Sequence, residues 1–464
     1  MRVVFLAVLF LSMSSATFGQ TFESTVGMSG EDIFQKVVKS QDGGWLTCGQ
    51  SFMDWSSGES WAMKFDASGN VMWEYFSPVW GFAIFSDVVE LSSGEWVFVG
   101  TSQLPGPWYD ISWKVVRLSP QGELVSEFTF DLDNMINLRA IRQRSDGSFV
   151  VLGWQGFGIG GKEAVLFSLD SSFNLLETVT WGEGDTRTTS IVSDGDSGWF
   201  VAGTDLSMSG DNTDTWLLYH LDENFDVVEQ IAHPFSSMTA LNELDLVGSE
   251  LLLSGADKDE NNDWRPGIAR IPVDLSTVEW LSSDIMNAHA SGVYFPSGSS
   301  SGWSVGYGQH PQMGTYQPYM QAFSQDLEWS GAVQWIPIDV QHAVVLDVLE
   351  HEGLLALAGQ TMDENFNLQG WLKVMDAASD VAELPPHQEW SAAYPNPTCG
   401  MVQLKCPSEG VIHWSDQLGR SVDSDVLPLD NGWFDVSRLA SGVYHVRLTG
   451  QGQAPVQTVV IASE

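Results

Sequence analysis

Seven times along the chain a short apolar run closes on a glycine, at nearly constant intervals. The runs are DGGWLTCG ending at Gly49, SGEWVFVG at Gly100, DGSFVVLG at Gly153 and SGWFVAG at Gly203. They continue as GSELLLSG at Gly255, SGWSVGYG at Gly308 and EGLLALAG at Gly359. The spacings are 51, 53, 50, 52, 53 and 51 residues. A chain with such a period folds as an array of small, similar units, because no single packed domain requires it.

Each unit holds four strand-like pieces. In the first these are residues 34–40, 45–49, 60–66 and 71–76, separated by Asp-Gly-Gly, a longer polar stretch, and DASGN. Later units repeat the last turn as RLSPQGEL, SLDSSFNLL and HLDENFDVV. Val, Leu, Phe and Trp bounded by Gly, Asp and Ser form the strand-and-hairpin pattern, and helical periodicity with caps is nearly absent. Four strands in about 50 residues suit a propeller blade. The sequence therefore predicts an all-β fold: a seven-bladed β-propeller of four-stranded blades over 20–382, then a small C-terminal β-sandwich over 391–464. A Pro-bearing linker at 383–390 separates them. Residues 21–27, TFESTVG, resemble an outermost strand and are expected to complete the seventh blade, removing an open sheet edge.

Most of the 21 tryptophans follow the repeat. Trp45, Trp96, Trp199 and Trp303 open the second strand of their units, and Trp61, Trp113, Trp216 and Trp371 open the third. Their regular placement suits filling of the wedges between blades, each ring burying about 150–250 Å².

Residues 1–19 carry one Arg before an apolar run from Val3 to Met13 that is too short to span a bilayer, the pattern of a secretory signal peptide. No later stretch suits a transmembrane segment. Acids outnumber bases 60 to 19, for a formal charge of −41. A field of that sign repels phosphate backbones and argues against nucleic acid as a partner. Of the three cysteines, Cys399 and Cys406 lie about 23 Å apart if the chain between them is extended, against the ~7 Å that a disulfide needs. Stability is thus expected from packing.

The last segment follows its own pattern. Tyr394, Pro395, Asn396 and Pro397 make a rigid turn leading past Gly400. A hairpin carries Asp416, Gly419 and Arg420, and a further turn and strand carry Asp435, Leu439, Gly442 and Tyr444. In this order and spacing they resemble the C-terminal sorting domain of type IX secretion cargo found in Bacteroidota. The resemblance implies passage to the periplasm, recognition by the outer-membrane type IX machinery, and release or attachment at the cell surface. Propeller repeats common among such cargo imply no single activity.

Motifs of chemistry are few. GFGIGG at 156–161 leads into a strand, whereas a dinucleotide fingerprint must open a helix. GSSSG at 298–302 lies in a hairpin, whereas a nucleophile elbow needs a strand-to-helix turn. The nine histidines form no zinc motif. In DKDENNDW the oxygens of Asp257, Asp259, Asn261 and Asp263 alternate in a way that suits Ca²⁺, but Asn262 and Ile268 stand where an EF-hand-type loop carries Gly and Glu. A solvated acidic loop is the other reading.

In a propeller the first-to-second and third-to-fourth turns share one face, and the second-to-third loops and blade links share the other. Here the second set is long and irregular, which is where binding concentrates on a rigid scaffold. Trp55, Trp80, Trp108, Tyr109, Trp154 and Trp264 stand there outside the regular phase, with Asp54, Asp110, Asp205, Asp211 and Asp214. Aromatic plates with carboxylates suit a glycan or protein ligand. Two readings follow: a non-enzymatic exported binding module, or a secreted polysaccharide-active enzyme working on the same face.

Overall fold

The computed structural model describes residues 21–376 apart from 28–29, 55–56, 78–81, 104–110, 131–135, 157–160, 183, 196, 207–213, 235–238, 296–300, 339, 341 and 363–366. Beyond these it describes 401–403, 411–416, 422, 426–428, 433–440, 442–449 and 456–461. The expected signal peptide and linker lie outside the described residues. The chain divides into two compact units, Met1–Ser379 and Asp380–Glu464. Among the described residues all regular structure is β-strand.

The first unit is a β-propeller of antiparallel four-strand meanders. Five are separate four-stranded sheets. The remaining strands form one eight-stranded sheet, which corrects the expectation of seven separate blades. The junction is a single parallel pair, Gly58 with Phe82, joining the third strand of the first repeat (Ser57–Phe65) to the first strand of the second (Phe82–Glu90). The approach depends on Gly58, where a Cβ would strike the Phe52 ring. Phe52 in turn meets Phe82 edge-on at 5.0 Å.

The last sheet of this unit unites the two ends of the chain segment. Phe22–Val26 pairs antiparallel with Leu368–Asp376 in the register Phe22 to Val374 and Val26 to Gly370. Glu23 fixes that edge, accepting hydrogen bonds from Trp371 Nε1 at 2.8 Å and Lys373 Nζ at 2.9 Å.

The apolar cores lie between successive repeats. One gathers Phe34, Trp45 and Trp61 from the first repeat with Ala356, Leu372 and Val374 from the last. Another gathers Val99 and Trp113 with Leu138, Val151 and Phe167. Trp113 lies 3.9 Å from Phe130 and 4.4 Å from Phe167, stacked on both. Of the phased tryptophans, Trp45, Trp61, Trp96, Trp113, Trp199, Trp216 and Trp371 are buried, and Trp303 is half-buried.

The recurring glycine has a specific cause. In every repeat the first strand carries a bulge just after the residue that pairs with it. Gly49 pairs with Phe34, Gly100 with Phe85, Gly153 with Leu138, Gly203 with Thr188, Gly255 with Leu241 and Gly359 with Val345. The bulge drives a first-strand carbonyl toward the glycine, so a Cβ would fall within 3.0 Å of it. In the sixth repeat this position is Gly306, paired with Ala290, and not Gly308.

The hairpins share a second device. Asp66, Asp170, Asp222 and Asp259 each accept, on one carboxylate oxygen, the amides two and four residues on, and Ser119 and Ser324 do the same through Oγ. The residue before the turn closes takes a left-handed conformation: Gly69, Gly122, Phe173, Phe225, Asn262 and Leu327. Phe173, Phe225 and Leu327 accept that cost while burying their side chains.

The second unit has two three-stranded sheets. One orders Met401–Gln403, Trp433–Asp435 and Leu427–Pro428, and the other Val411–Asp416, Gly442–Thr449 and Val456–Ile461. Trp414 and Phe434, one from each sheet, are buried with ring centroids 5.9 Å apart.

Candidate functional site: an axial channel and an aromatic rim

The bulges that impose glycine on the second strands also build a site. The bulged residues Gln35, Ser86, Arg139, Thr189, Asn242, Ser291 and Leu346, one from each first strand, line a single cavity of about 190 Å³. The cavity is therefore axial, bounded by the innermost strand of every repeat. Beside the bulges stand Lys36, Asp87, Arg142, Glu243 and Asp347.

Several of these charges tie neighbouring repeats together. Asp347 accepts Lys36 Nζ at 2.6 Å on one oxygen and the Val37 amide at 2.8 Å on the other. Asp87 makes a similar link through one oxygen, accepting the Ile141 amide at 2.9 Å and Arg142 at 2.6 Å, while its other oxygen accepts the Val88 amide. Asn242 donates to the Ala290 carbonyl and Ser291 to that of Val345. Burial alone would lower the Lys36 pKa, but Asp347 and Glu243 reverse that, and the ammonium is held firmly charged. Glu243, at 3.5 Å from Lys36, is pushed well above the carboxylate range by burial. Burial likewise raises Asp245 to about 6, against the pull of Lys36 and Arg142.

Arg139 departs from this pattern. Every other described Lys and Arg of the first unit has a hydrogen bond, an ion pair or a ring contact. The Arg139 guanidinium has none among the described residues. Its side chain is exposed to the open space of the channel, and it stays charged. Gln35 and Ser86 on the two preceding first strands, and Asn137 beside it, also carry no side-chain hydrogen bond among the described residues.

Of the six aromatic residues singled out in the sequence, Trp55, Trp80, Trp108 and Tyr109 lie outside the described residues. Trp154 is half-buried with Lys162 at 4.9 Å and Arg187 at 5.6 Å from its ring. Asp185 anchors that arginine at 2.8 Å. Asp110 and Asp211 also lie outside the described residues. Asp205 accepts the Asp185 amide, and buried Asp214 accepts that of Thr239.

The 257–263 run is a hairpin cap. Asp259 spends one oxygen on the Asn261 and Asp263 amides and the other on Arg265, whose Nη2 lies 2.8 Å away. Asp257 accepts Ser282 Oγ at 3.4 Å, and burial raises its pKa. Among the described residues no group of three or more His, Cys, Asp or Glu is placed to hold a metal ion. The spacing of these acids is that of the Asp66 turn, a likeness visible in the sequence once the turns are aligned.

Trp264 belongs to a feature that the sequence did not single out. Its ring lies 4.8 Å from His289, His289 lies 5.4 Å from Tyr307, Tyr307 lies 5.8 Å from Tyr316, and Tyr316 lies 5.5 Å from His342. Trp264 opens a third strand, Tyr307 and Tyr316 flank the loop at 310–315, and His289 and His342 stand at links between repeats. All five thus share the long-loop end. Tyr316 is exposed, and burial depresses His289 to about 4, so its imidazole is neutral at ordinary pH. In the sequence Tyr307 falls inside the sixth glycine run, SGWSVGYG. A larger cavity, about 580 Å³, opens among the short turns near Arg144, Ser193 and Glu223, but Arg144 is already bonded there to the Glu223 carbonyl and stacked on Phe225.

Fold and sites together define a β-propeller with a polar axis and a ring-lined rim. Residues 392–462 match the family model described as a secretion system C-terminal sorting domain. The chain is type IX secretion cargo, exported to the cell surface or the medium. Leu439 of that domain is buried, Asp416, Asp435, Gly442 and Tyr444 lie in its strands, and Tyr394–Pro397, Gly400, Gly419 and Arg420 lie outside the described residues. Among the described residues no helix is long and apolar enough to cross a membrane. No curated protein matches the chain in sequence. Solved structures similar to it include the polysaccharide lyase Uly1 (8% identity, 76% of this chain and 91% of that one, TM-score 0.47). An apocarotenoid oxygenase variant from Synechocystis (12%, 78% and 92%, TM-score 0.46) and puromycin hydrolase (14%, 72% and 51%, TM-score 0.43) are others. Likeness at this level carries no argument about activity.

Proposed function

We propose that this is a non-enzymatic binding module that holds a glycan on its aromatic rim after export. In this reading the first unit is a seven-sector ring spanning 20–382, the eight-stranded sheet counting as two sectors. The two small sheets of 391–464 pack as a sandwich that serves as the export signal, and residues 1–19 are removed as a signal peptide. The observation that carries the reading is the row Trp264, His289, Tyr307, Tyr316 and His342 at the long-loop end. Rings with polar edges suit the apolar faces and hydroxyls of sugars. Neighbouring amides support such a surface, with Asn287 bonded to Gln309 at 3.1 Å.

The test is to incubate the purified chain with a panel of polysaccharides. Retention without turnover is expected, and Tyr316→Ala is expected to weaken it about 3- to 10-fold, the worth of one aromatic contact. New reducing ends or unsaturated products would establish the enzyme instead. Retention indifferent to Tyr316→Ala would move the site elsewhere.

A further inference from the structure

We infer that the axial channel is a second binding site, for a hydroxylated monocarboxylate whose carboxylate sits on the Arg139 guanidinium. A channel with 60 acids in the chain to draw on and 19 bases has left this one base without a partner. Acids are present in the same cavity, but each is already committed. Asp87 is held by Arg142 and the Ile141 amide, Asp347 by Lys36 and the Val37 amide, and Glu243 lies 3.5 Å from Lys36. A guanidinium offers five donors in a planar fork, and the complementary shape is a carboxylate gripped by two parallel hydrogen bonds.

Charge sets the valence of the ligand. One uncommitted positive charge faces a wall that already holds the carboxylates of Asp87 and Asp347. A singly charged group balances it, whereas a dianion would meet those carboxylates at close range. The chain's net charge of −41 does not bar entry at physiological salt, because fields of surface charges fade over about 8 Å.

The rest of the ligand is read from the neutral side chains. Gln35, Ser86 and Asn137 lie on three adjacent first strands or beside Arg139, and they carry no side-chain hydrogen bonds among the described residues. Amides and hydroxyls both donate and accept, which suits hydroxyl groups on the carbons next to a carboxylate. A cavity of about 190 Å³ takes one sugar acid or a small hydroxy acid. This site is separate in residues from the aromatic rim and does not depend on the glycan reading.

The experiment is a calorimetric titration of the full chain with glucuronate, lactate, glucose and sulfate. Saturable binding of glucuronate or lactate is expected at one per chain, and the preferred one of the two identifies a sugar acid or a small hydroxy acid. Glucose, which lacks the carboxylate, is expected to bind at least 10-fold more weakly. Arg139→Gln is expected to weaken carboxylate binding at least 10-fold, and Arg139→Lys by less, since it keeps the charge and loses the fork. Tyr316→Ala is expected to leave it unchanged while weakening glycan retention. Gln35→Ala, which removes no charge, gives a second reading of the same pocket with an expected loss of about 3-fold, the worth of one neutral hydrogen bond. The inference is overturned by equal binding to Arg139→Gln, by tighter binding of sulfate than of either carboxylate, or by no saturation up to about 50 mM.

Discussion

The wedges between neighbouring sheets and the channel those sheets surround are made of opposite materials. In the wedges, side chains from second and third strands repeat their chemistry, and the buried rings of Trp45, Trp96 and Trp199, or of Trp61, Trp113 and Trp216, recur at the same place. Around the channel, bulged first-strand residues repeat only their backbone, with Gln, Ser, Arg, Thr, Asn, Ser and Leu at equivalent positions. The contrast locates constraint. Ring closure requires the wedge to be filled in the same way in each sector, whereas a bulge is a backbone geometry that leaves its side chain free to differ. Identity can therefore accumulate at the axis without loss of the fold.

The sharpest test of that contrast replaces one wedge ring. Trp113→Ala removes a fully buried indole stacked on Phe130 and Phe167. The expected cost is about 3–5 kcal/mol, the range for emptying a large aromatic from a packed core. Chemical denaturation monitored by far-UV circular dichroism measures it. A loss no greater than that of an exposed substitution would mean that the wedges do not carry the stability assigned to them.

The same contrast explains what the sequence revealed. Wedge residues are phased, so the all-β propeller and its tryptophan core could be read from spacing alone. The sorting domain could be read because its turns and strands fall in a fixed order. The count of separate sheets could not, since the join at Gly58 and Phe82 depends on a local approach of two chains that no periodicity encodes. Spacing alone points to Gly308 in the sixth repeat, because SGWSVGYG holds three glycines, and only strand pairing selects Gly306. The channel was invisible for a deeper reason. Its residues touch across repeats, as Lys36 does with Asp347, 311 positions away, and they follow no single residue type from repeat to repeat. The signal available in sequence is weaker: charged residues at matching places in the first strands, such as Lys36, Asp87 and Asp347.

A smaller effect is expected at the channel wall. Lys36→Met leaves Asp347 buried without its counter-ion, and the expected cost is about 3 kcal/mol by thermal or chemical unfolding. Adding Asp347→Asn keeps an acceptor for the Val37 amide and removes the stranded charge, so the double variant is expected to recover much of the loss. Strict additivity of the two changes would show that the pair is not coupled.

The smallest effect separates the axis from the wedges by pH, to which an apolar wedge is indifferent. Burial raises Asp245 to about 6 in the folded chain, while an unfolded aspartate titrates near 3.9. Between those values the folded chain keeps a proton that the unfolded chain has lost. Stability from this group is therefore full below about 4, falls as pH rises toward 6, and remains lowered above. Asp245→Asn cannot lose that proton. At pH 7.5 the variant is expected to be more stable than the parent by on the order of 1 kcal/mol, and at pH 4 the two are expected to coincide. Unfolding midpoints at the two pH values decide it. A difference that is the same at both would mean that Asp245 is ionised in the folded chain as readily as in water.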